Sequence, residues 1–345
     1  MSRKLFFSTA TLVGTMVGAG FLGIPFVAQK SGFLISLIEM IVIVSVLLFI
    51  MIYFGKLVVR TKGIHQFTGY AEMYTGKIGK WIMFSAFAVG MYSTILAYMV
   101  GEGQSLSYLV FNNLNYEFYF GILTWIILSA LTYYGLKALE EEESIGFILV
   151  IFIILLITAI YGWQINMGNL STWSPENIFA PTGVILFAFL AFSTIPLLKE
   201  IVGSDEKTMT KSIIISHIIV FILYTLFTFI VLGYKGADVP EVATLGLSKI
   251  FIILGGLTMF NSYFGSSIIL RDTWKFDLKF NKINAWLWTI LPCLALFIAV
   301  EFLRFNTFTG ILNWGAWISG GVMGCLIIYM ISRSKKVLFR SLHKK

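Results

Sequence analysis

Apolar runs, each close to the length of a bilayer crossing, alternate along this chain with short polar breaks from near its first residue to near its last. A spanning helix takes about 20 mostly apolar residues. On that measure ten segments stand out, at about 5–29, 32–56, 80–102, 116–136, 144–164, 182–200, 211–234, 246–270, 283–303 and 308–332. The longest breaks, Arg60 to Lys80 and Asn166 to Pro181, leave no room for a soluble domain and lack the composition of a flexible linker. The pattern predicts an all-α polytopic membrane protein, one transmembrane domain over residues 1–345. The opening Met1-Ser2-Arg3-Lys4 and the apolar run behind it resemble a secretory signal. That run continues through Pro25 without a small-residue cleavage site, so it reads as a retained first span.

Composition agrees. Of 345 residues, 58% are hydrophobic and 12% charged, which excludes an ordinary soluble domain. The net charge of +8 lies in a chain too apolar for a nucleic-acid surface and reads as orientation in a membrane. With both termini in the cytoplasm, every Lys and Arg except Lys30, Lys235, Lys249 and Arg304 falls on the cytoplasmic side. Adding or removing one span in mid-chain scrambles that asymmetry, and the expected place is the cytoplasmic membrane. Cys293 and Cys325 lie in apolar runs, so there is neither a disulfide framework nor a paired-cysteine metal motif.

Ten spans divide into two units of five, about 5–164 and about 182–332. Transporters are often built from inverted repeats that show as matched irregularities in the two halves. Gly18-Ala19-Gly20-Phe21-Leu22-Gly23-Ile24-Pro25 in span 1 and Phe192-Ser193-Thr194-Ile195-Pro196 in span 6 form such a pair, with Pro25 and Pro196 171 residues apart. An odd number of spans per unit turns the second unit upside down relative to the first. The prediction is a 5+5 inverted repeat whose first and sixth helices are broken.

A broken helix is tolerated in hydrocarbon only where it lines a cavity or is buried in protein, because lipid offers no partner for a free N–H or C=O. Gly18, Gly20 and Gly23 make span 1 the place to unwind. Pro25 and Pro196 suit the first turn of a second half-helix, where a missing N–H costs nothing. Freed N–H groups from Ala19 to Leu22, at the positive end of that half-helix, would hold a carboxylate without a charged side chain. Carbonyls freed at Thr15 to Val17 and at Phe189 to Ala191 would accept from an ammonium. The candidate substrate site is therefore Thr15, Val17, Gly18, Ala19, Gly20, Phe21 and Leu22 with Phe189, Ala191, Phe192 and Ser193, and its ligand a zwitterion. The bland reading, in which small residues merely let helices approach, applies to any single Gly-x-Gly. The matching second break argues against it, whereas Gly320, Gly321 and Gly324 have no such partner and read as packing.

The stretch Gly14 to Phe26 resembles the first-helix signature of the permeases for aromatic and hydroxy amino acids, in the amino acid, polyamine and organocation superfamily with its LeuT-type fold. Phe187 to Pro196 is similar to the sixth-helix motif of that group, and Asn261 to Ser267 resembles its eighth helix. The resemblance extends by span order over the whole chain. It departs at Phe192, where aromatic permeases often carry histidine, and in lacking an eleventh span. It implies that span 3, with Tyr92, and span 8, with Phe264, border the substrate. It also implies that Ser266 and Ser267 face the break of span 1 where that fold holds a sodium ion, for which oxygen ligands suit a hard cation. Serines that bond back to their own helix are the alternative.

Glu39 in span 2 and His217 in span 7 are the titratable residues that look well enclosed, and either is a proton-coupling candidate or a satisfied interior group. Neither an enzyme nor a channel fits as well: Gly265, Ser267 and His217 form no recognisable catalytic motif, and no filter loop or ring of charge is present. The expectation is a secondary transporter, not an enzyme, that imports a neutral, aromatic or hydroxy amino acid with a cation by alternating access. It needs no cofactor beyond a coupling sodium ion or proton, and no obligatory protein partner.

Overall fold

A computed structural model describes residues 2–18, 20–134, 142–303 and 307–342, with side chains described outside 142–149 and 335–342. Ala19, Arg304, Glu140 and Glu141 lie outside the described residues. Among the described residues all regular structure is helical: α1 (Arg3–Met16), α2 (Gly20–Ser31), α3 (Phe33–Arg60), α4 (Phe67–Phe111), α5 (Glu117–Tyr134), α6 (Glu142–Tyr161), α7 (Thr182–Phe189), α8 (Ile195–Val202), α9 (Glu206–Lys235), α10 (Lys249–Phe276), α11 (Lys282–Leu303), α12 (Phe308–Gly315) and α13 (Gly321–Leu342). Among the described residues seven helical segments are long and apolar enough to cross a membrane, and eight if the bent pair α1 and α2 is one span. The outward face of α3 presents Leu34, Ile38, Ile41, Val42 and Phe49 in a helical stripe. So large an apolar exterior is stable in lipid rather than in water.

Both expected breaks are present. α1 stops at Val17, whose backbone (φ −81°, ψ 84°) leaves the helix, and α2 restarts at Gly20 with the axis turned by 54°. In the second break α7 ends at Phe189, Leu190 is extended (φ −71°, ψ 118°), Ala191 is irregular, and a 3-10 turn over Phe192–Thr194 leads into α8. Pro196 sits in the first turn of α8, where no N–H is needed. Pro25 does not fit the expected place. It lies inside α2, in the second turn, because the helix restarts five residues earlier at Gly20. There its missing N–H leaves the carbonyl of Phe21 without its helical donor.

α1 packs on α8, and α2 packs on α7. The first half of each broken helix therefore lies beside the second half of the other, so the two run antiparallel. α3 and α9 flank the pair on one side, α4, α10 and α12 enclose it on the other, and α5 and α11 lie outside α4. The close approach is made by glycine: a Cβ at Gly20 would stand 2.8 Å from the Cα of Ala188 on α7.

Two boundaries differ from the sequence reading. The break placed at Arg60 to Lys80 is helical from Phe67, with Gly76 (φ 81°) marking a kink. At its other end α4 runs to Phe111, nine residues past the expected end of span 3, because Gly101-Glu102-Gly103-Gln104 looks like a polar terminus yet is buried against α5 and α10. In the last span, a π-helical turn over Ala316–Gly320 joins α12 to α13. Such turns recur at functional sites.

Candidate functional site

The two breaks meet through side chains that neither break supplies alone. Thr15, in the last turn of α1, donates its hydroxyl to the carbonyl of Thr11 (2.9 Å) and accepts from the hydroxyl of Thr194 (3.2 Å). Tyr224 of α9 is wholly buried and places its hydroxyl 2.7 Å from the carbonyl of Met16 and 3.4 Å from that of Ala188. One phenol thus serves backbone oxygens at the ends of both α1 and α7. Its ring stacks on Phe21 at 5.8 Å and meets Phe189 edge-on at 5.1 Å. Met16, Val17, Phe21 and Leu22 are all buried, as broken backbone in hydrocarbon must be.

Gly18 is where the first break meets α4 and α10 closely. Its N–H turns back to the carbonyl of Met16 at 3.0 Å. A Cβ there would collide with the hydroxyl of Tyr98 from α4 and lie 3.7 Å from Oγ of Ser262 on α10. Any larger residue would occupy the space that these two hydroxyls share. The second break is walled by the last span: Gly320 lets Leu190 approach, with a would-be Cβ 2.7 Å from Leu190 Cδ1, and Gly324 lies 3.9 Å from the ring of Phe192 on the same measure. Those glycines do serve packing, and what they pack against is the break of span 6.

Of the expected site residues, Thr15, Val17, Gly18, Gly20, Phe21, Leu22, Phe189, Ala191, Phe192 and Ser193 fall on the two breaks, and Phe264 is buried on α10. Ala19 lies outside the described residues. Tyr92 is a correction. Its hydroxyl donates to the carbonyl of Trp288 on the outer helix α11, away from the breaks. Six residues on, Tyr98 takes the expected place, since the helix turns a different face toward α1. Ser267 is buried on α10 and Ser266 half-buried.

Glu39 has a partner that the sequence did not reveal. Thr182, the first residue of α7, donates to its Oε1 at 2.7 Å. His217 is buried, with Nδ1 2.8 Å from the carbonyl of Ile213 and Nε2 without a partner. Nor is Glu39 the lone acid deep in a helix, since Glu102 on α4 is 4% exposed. Tyr98, Ser262, Tyr224 and Thr194 were missed because hydroxyls are common in this sequence and no spacing rule ranks them. Tyr224 alone carried a usable signal, as a phenol in an apolar span needs a buried acceptor.

On the other side of the bundle from Thr182, Lys199 near the end of α8 is buried and donates to the carbonyls of Thr61 and Gly63, the latter at 2.6 Å. This ties the second half of the sixth span to the connection between α3 and α4.

Residues 1–318 match the tryptophan/tyrosine permease family. Glutamine transporter 2 of Aliivibrio fischeri is 24% identical over 336 residues, covering 90% of this chain and 86% of that protein. Tyrosine-specific transport system 1 of Haemophilus influenzae is 24% identical over 221 residues, 64% of this chain and 55% of that protein. The crystal structure of MhsT in complex with L-phenylalanine superposes with a TM-score of 0.66 at 15% identity, over 95% of this chain and 88% of that one.

Proposed function

The chain belongs to the tryptophan/tyrosine permease family, and from that premise we propose that it imports a neutral amino acid with a cation by alternating access. As a multi-pass membrane permease of LeuT-type fold it transports amino acids and is not an enzyme. The finer reading has ten spans, with α5 and α6 counted and each broken helix as one. It has two inverted units of five, both termini in the cytoplasm, and the cytoplasmic membrane as its place.

The observation that carries this reading is the antiparallel meeting of the two breaks. Backbone oxygens of Met16 and Ala188 converge on Tyr224, while Gly18 lies against the hydroxyl of Tyr98 and near that of Ser262. N–H groups at the start of α2 follow directly and suit a carboxylate. Carbonyls at the ends of α1 and α7 suit an ammonium. The relatives are named for glutamine and tyrosine, and the structural neighbour holds L-phenylalanine. What those molecules share is the zwitterion, which the breaks recognise. What differs is the side chain, which here would meet Phe189, Phe192 and Phe264, favouring an aromatic or hydroxy amino acid. For the cation, Ser266 and Ser267 offer oxygens for sodium, and Glu39 or His217 offers a proton site.

Uptake of radiolabelled L-tyrosine, L-phenylalanine and L-glutamine into proteoliposomes, under sodium and proton gradients imposed separately, tests the proposal. Accumulation of at least one, abolished when its methyl ester is offered instead of the free acid, is expected. Equal uptake of ester and acid overturns the backbone site, and no uptake or exchange of any amino acid overturns the function.

A further inference from the structure

Glu102 sits on α4 one helical turn beyond Tyr98, the residue whose hydroxyl reaches Gly18 at the first break. Its side chain is buried and its Oε1 has no hydrogen-bond partner. Across the seam stands α10. A Cβ at Gly256 would lie 3.4 Å from Oε2 and 3.9 Å from Oε1, and the backbone of Phe260, one turn further along α10, hydrogen-bonds to the carboxyl. Ser105, one turn further along the same face of α4, is also buried with its hydroxyl unpartnered. An unpartnered carboxyl oxygen and an unpartnered hydroxyl one turn apart in a buried seam call for an explanation.

Among the described residues no opposite charge answers Glu102. On α5, Glu117 is engaged with Gln104 and interacts with Glu301 of α11. Lys249, at the start of α10, donates to the carbonyl of Leu109, nearly two turns away from Glu102 along α4. The remaining charges of α10 and α11, Arg271 with its partner Asp272, Lys275 and Lys282, are at the opposite ends of those helices. α12 carries no charged residue. On α13, Arg333 is bonded to Tyr329. A carboxylate ion held without a counter-charge or several donors pays a desolvation cost that nothing here offsets. In this conformation the group is therefore the neutral acid.

We propose that Glu102 is the proton-carrying residue of the transport cycle. Its O–H bond is kept while α4 and α10 are closed on it, and is broken, with the proton passing to water, when the seam opens. The carboxylate regains a proton from the opposite side before the seam can close again. Coupling to substrate follows from position. Tyr98 and Ser262 lie on the same two helices and face each other across Gly18, so a change in the α4–α10 seam moves the walls of the break. Glu39 and His217 are weaker choices, because Glu39 is only half-buried and accepts from Thr182, and His217 lies on α9, outside the α4–α10 seam that faces Gly18. The inference rests on the proposed amino acid transport and replaces its open choice of cation with a proton.

The test compares wild type with Glu102→Gln in proteoliposomes, using radiolabelled L-tyrosine and L-glutamine. For one coupled proton, a pH gradient of one unit drives at most about tenfold accumulation. Wild type should approach that figure. Glu102→Gln should lose accumulation while keeping exchange of labelled for unlabelled substrate, with a rate no longer dependent on pH. Gly256→Ala, which brings a methyl against the carboxyl, should shift the pH midpoint of wild-type exchange. Accumulation by Glu102→Gln, or loss of pH dependence in His217→Gln and not in Glu102→Gln, overturns the inference. So does wild-type accumulation driven by sodium alone. If Glu102→Gln does not fold, an unmoved midpoint in Gly256→Ala overturns it. A wild type that neither exchanges nor accumulates any amino acid instead overturns the transport proposal beneath it.

Discussion

The hydroxyl of Thr194 donates to that of Thr15 at 3.2 Å, joining the turn of the second break to the last turn before the first. The bond ties α1 to the segment leading into α8. Thr15→Val and Thr194→Val should each cost about 1 kcal/mol of stability, the usual worth of such a bond. The double variant should cost little more than either single one, because both delete the same bond. Thermal unfolding of the four proteins in detergent measures the coupling, and strictly additive losses would show that the two hydroxyls act independently.

Gly20 and Ala188 make a close backbone approach between the broken helices. Gly20→Ala forces about 1–3 kcal/mol of overpacking, the range found when a methyl is driven into a close-packed interior. Ala188→Gly in the same protein removes the methyl it meets and should restore part of the loss. Gly20→Leu is too large for the contact and should fail to yield folded protein, as judged by size-exclusion chromatography. A folded, substrate-binding Gly20→Leu protein would mean that α2 and α7 do not pack at this point.

Asp277 follows α10, outside the spans, and accepts from the hydroxyl of Thr68 at 2.6 Å. Burial holds its carboxyl above the ordinary value, against the opposing pull of Thr68 and of Lys80. The folded state therefore favours the protonated form. Its contribution to stability is present below the ordinary carboxylate range, near about pH 4, and fades as pH rises through the raised folded value. Asp277→Asn should flatten the loss of melting temperature between about pH 4 and 7. A melting profile unchanged by the substitution would contradict this assignment.

How much could be read beforehand depended on which interaction set each feature. The breaks were legible because Gly18, Gly20 and Pro196 act on the backbone locally, and lipid punishes free backbone wherever it occurs. Pro25 misled, since proline marks a break without fixing on which side of it the helix restarts. Tyr92 misled for a tertiary reason, because it and Tyr98 point about 120° apart around α4 and only packing decides which of the two faces α1. Glu102 was hidden by its neighbours: Gly101, Gly103 and Gln104 make a polar quartet that ends most apolar helices. Only the glycines of α10 show why α4 continues through it.

Ser266 and Ser267 bear on the alternative ion. If two hydroxyls of α10 ligated sodium, replacing both with Ala would remove two of its oxygen ligands, and sodium dependence would collapse. If Glu102 carries a proton, the double substitution should leave pH-driven accumulation within about twofold of wild type, a change below 1 kcal/mol. Ser266 is only half-buried, which leaves it free to bond to water or to its own helix. Uptake by the Ser266→Ala, Ser267→Ala protein, measured with each gradient separately, decides between the two.

Lys199 holds the end of α8 to the connection between α3 and α4. Its ammonium is buried and donates to the carbonyls of Thr61 and Gly63, beyond the end of α3. Arg60 next to them pairs with Glu206 at the start of α9, at 2.9 Å. The exposed Arg60 pair contributes little, as surface ion pairs generally do. The buried ammonium differs: without it two carbonyls lose a charged donor, a loss of about 1.5–3 kcal/mol per bond. Lys199→Met keeps the length of the side chain and removes the donor, so the end of α8 should separate from the α3–α4 connection and bias the protein toward opening on that side. In a Cys325→Ser background, a cysteine at Thr15 should then react faster with a water-soluble maleimide than it does with Lys199 intact. Equal labelling rates would mean that Lys199 only satisfies the carbonyls and that closure of this side is held elsewhere.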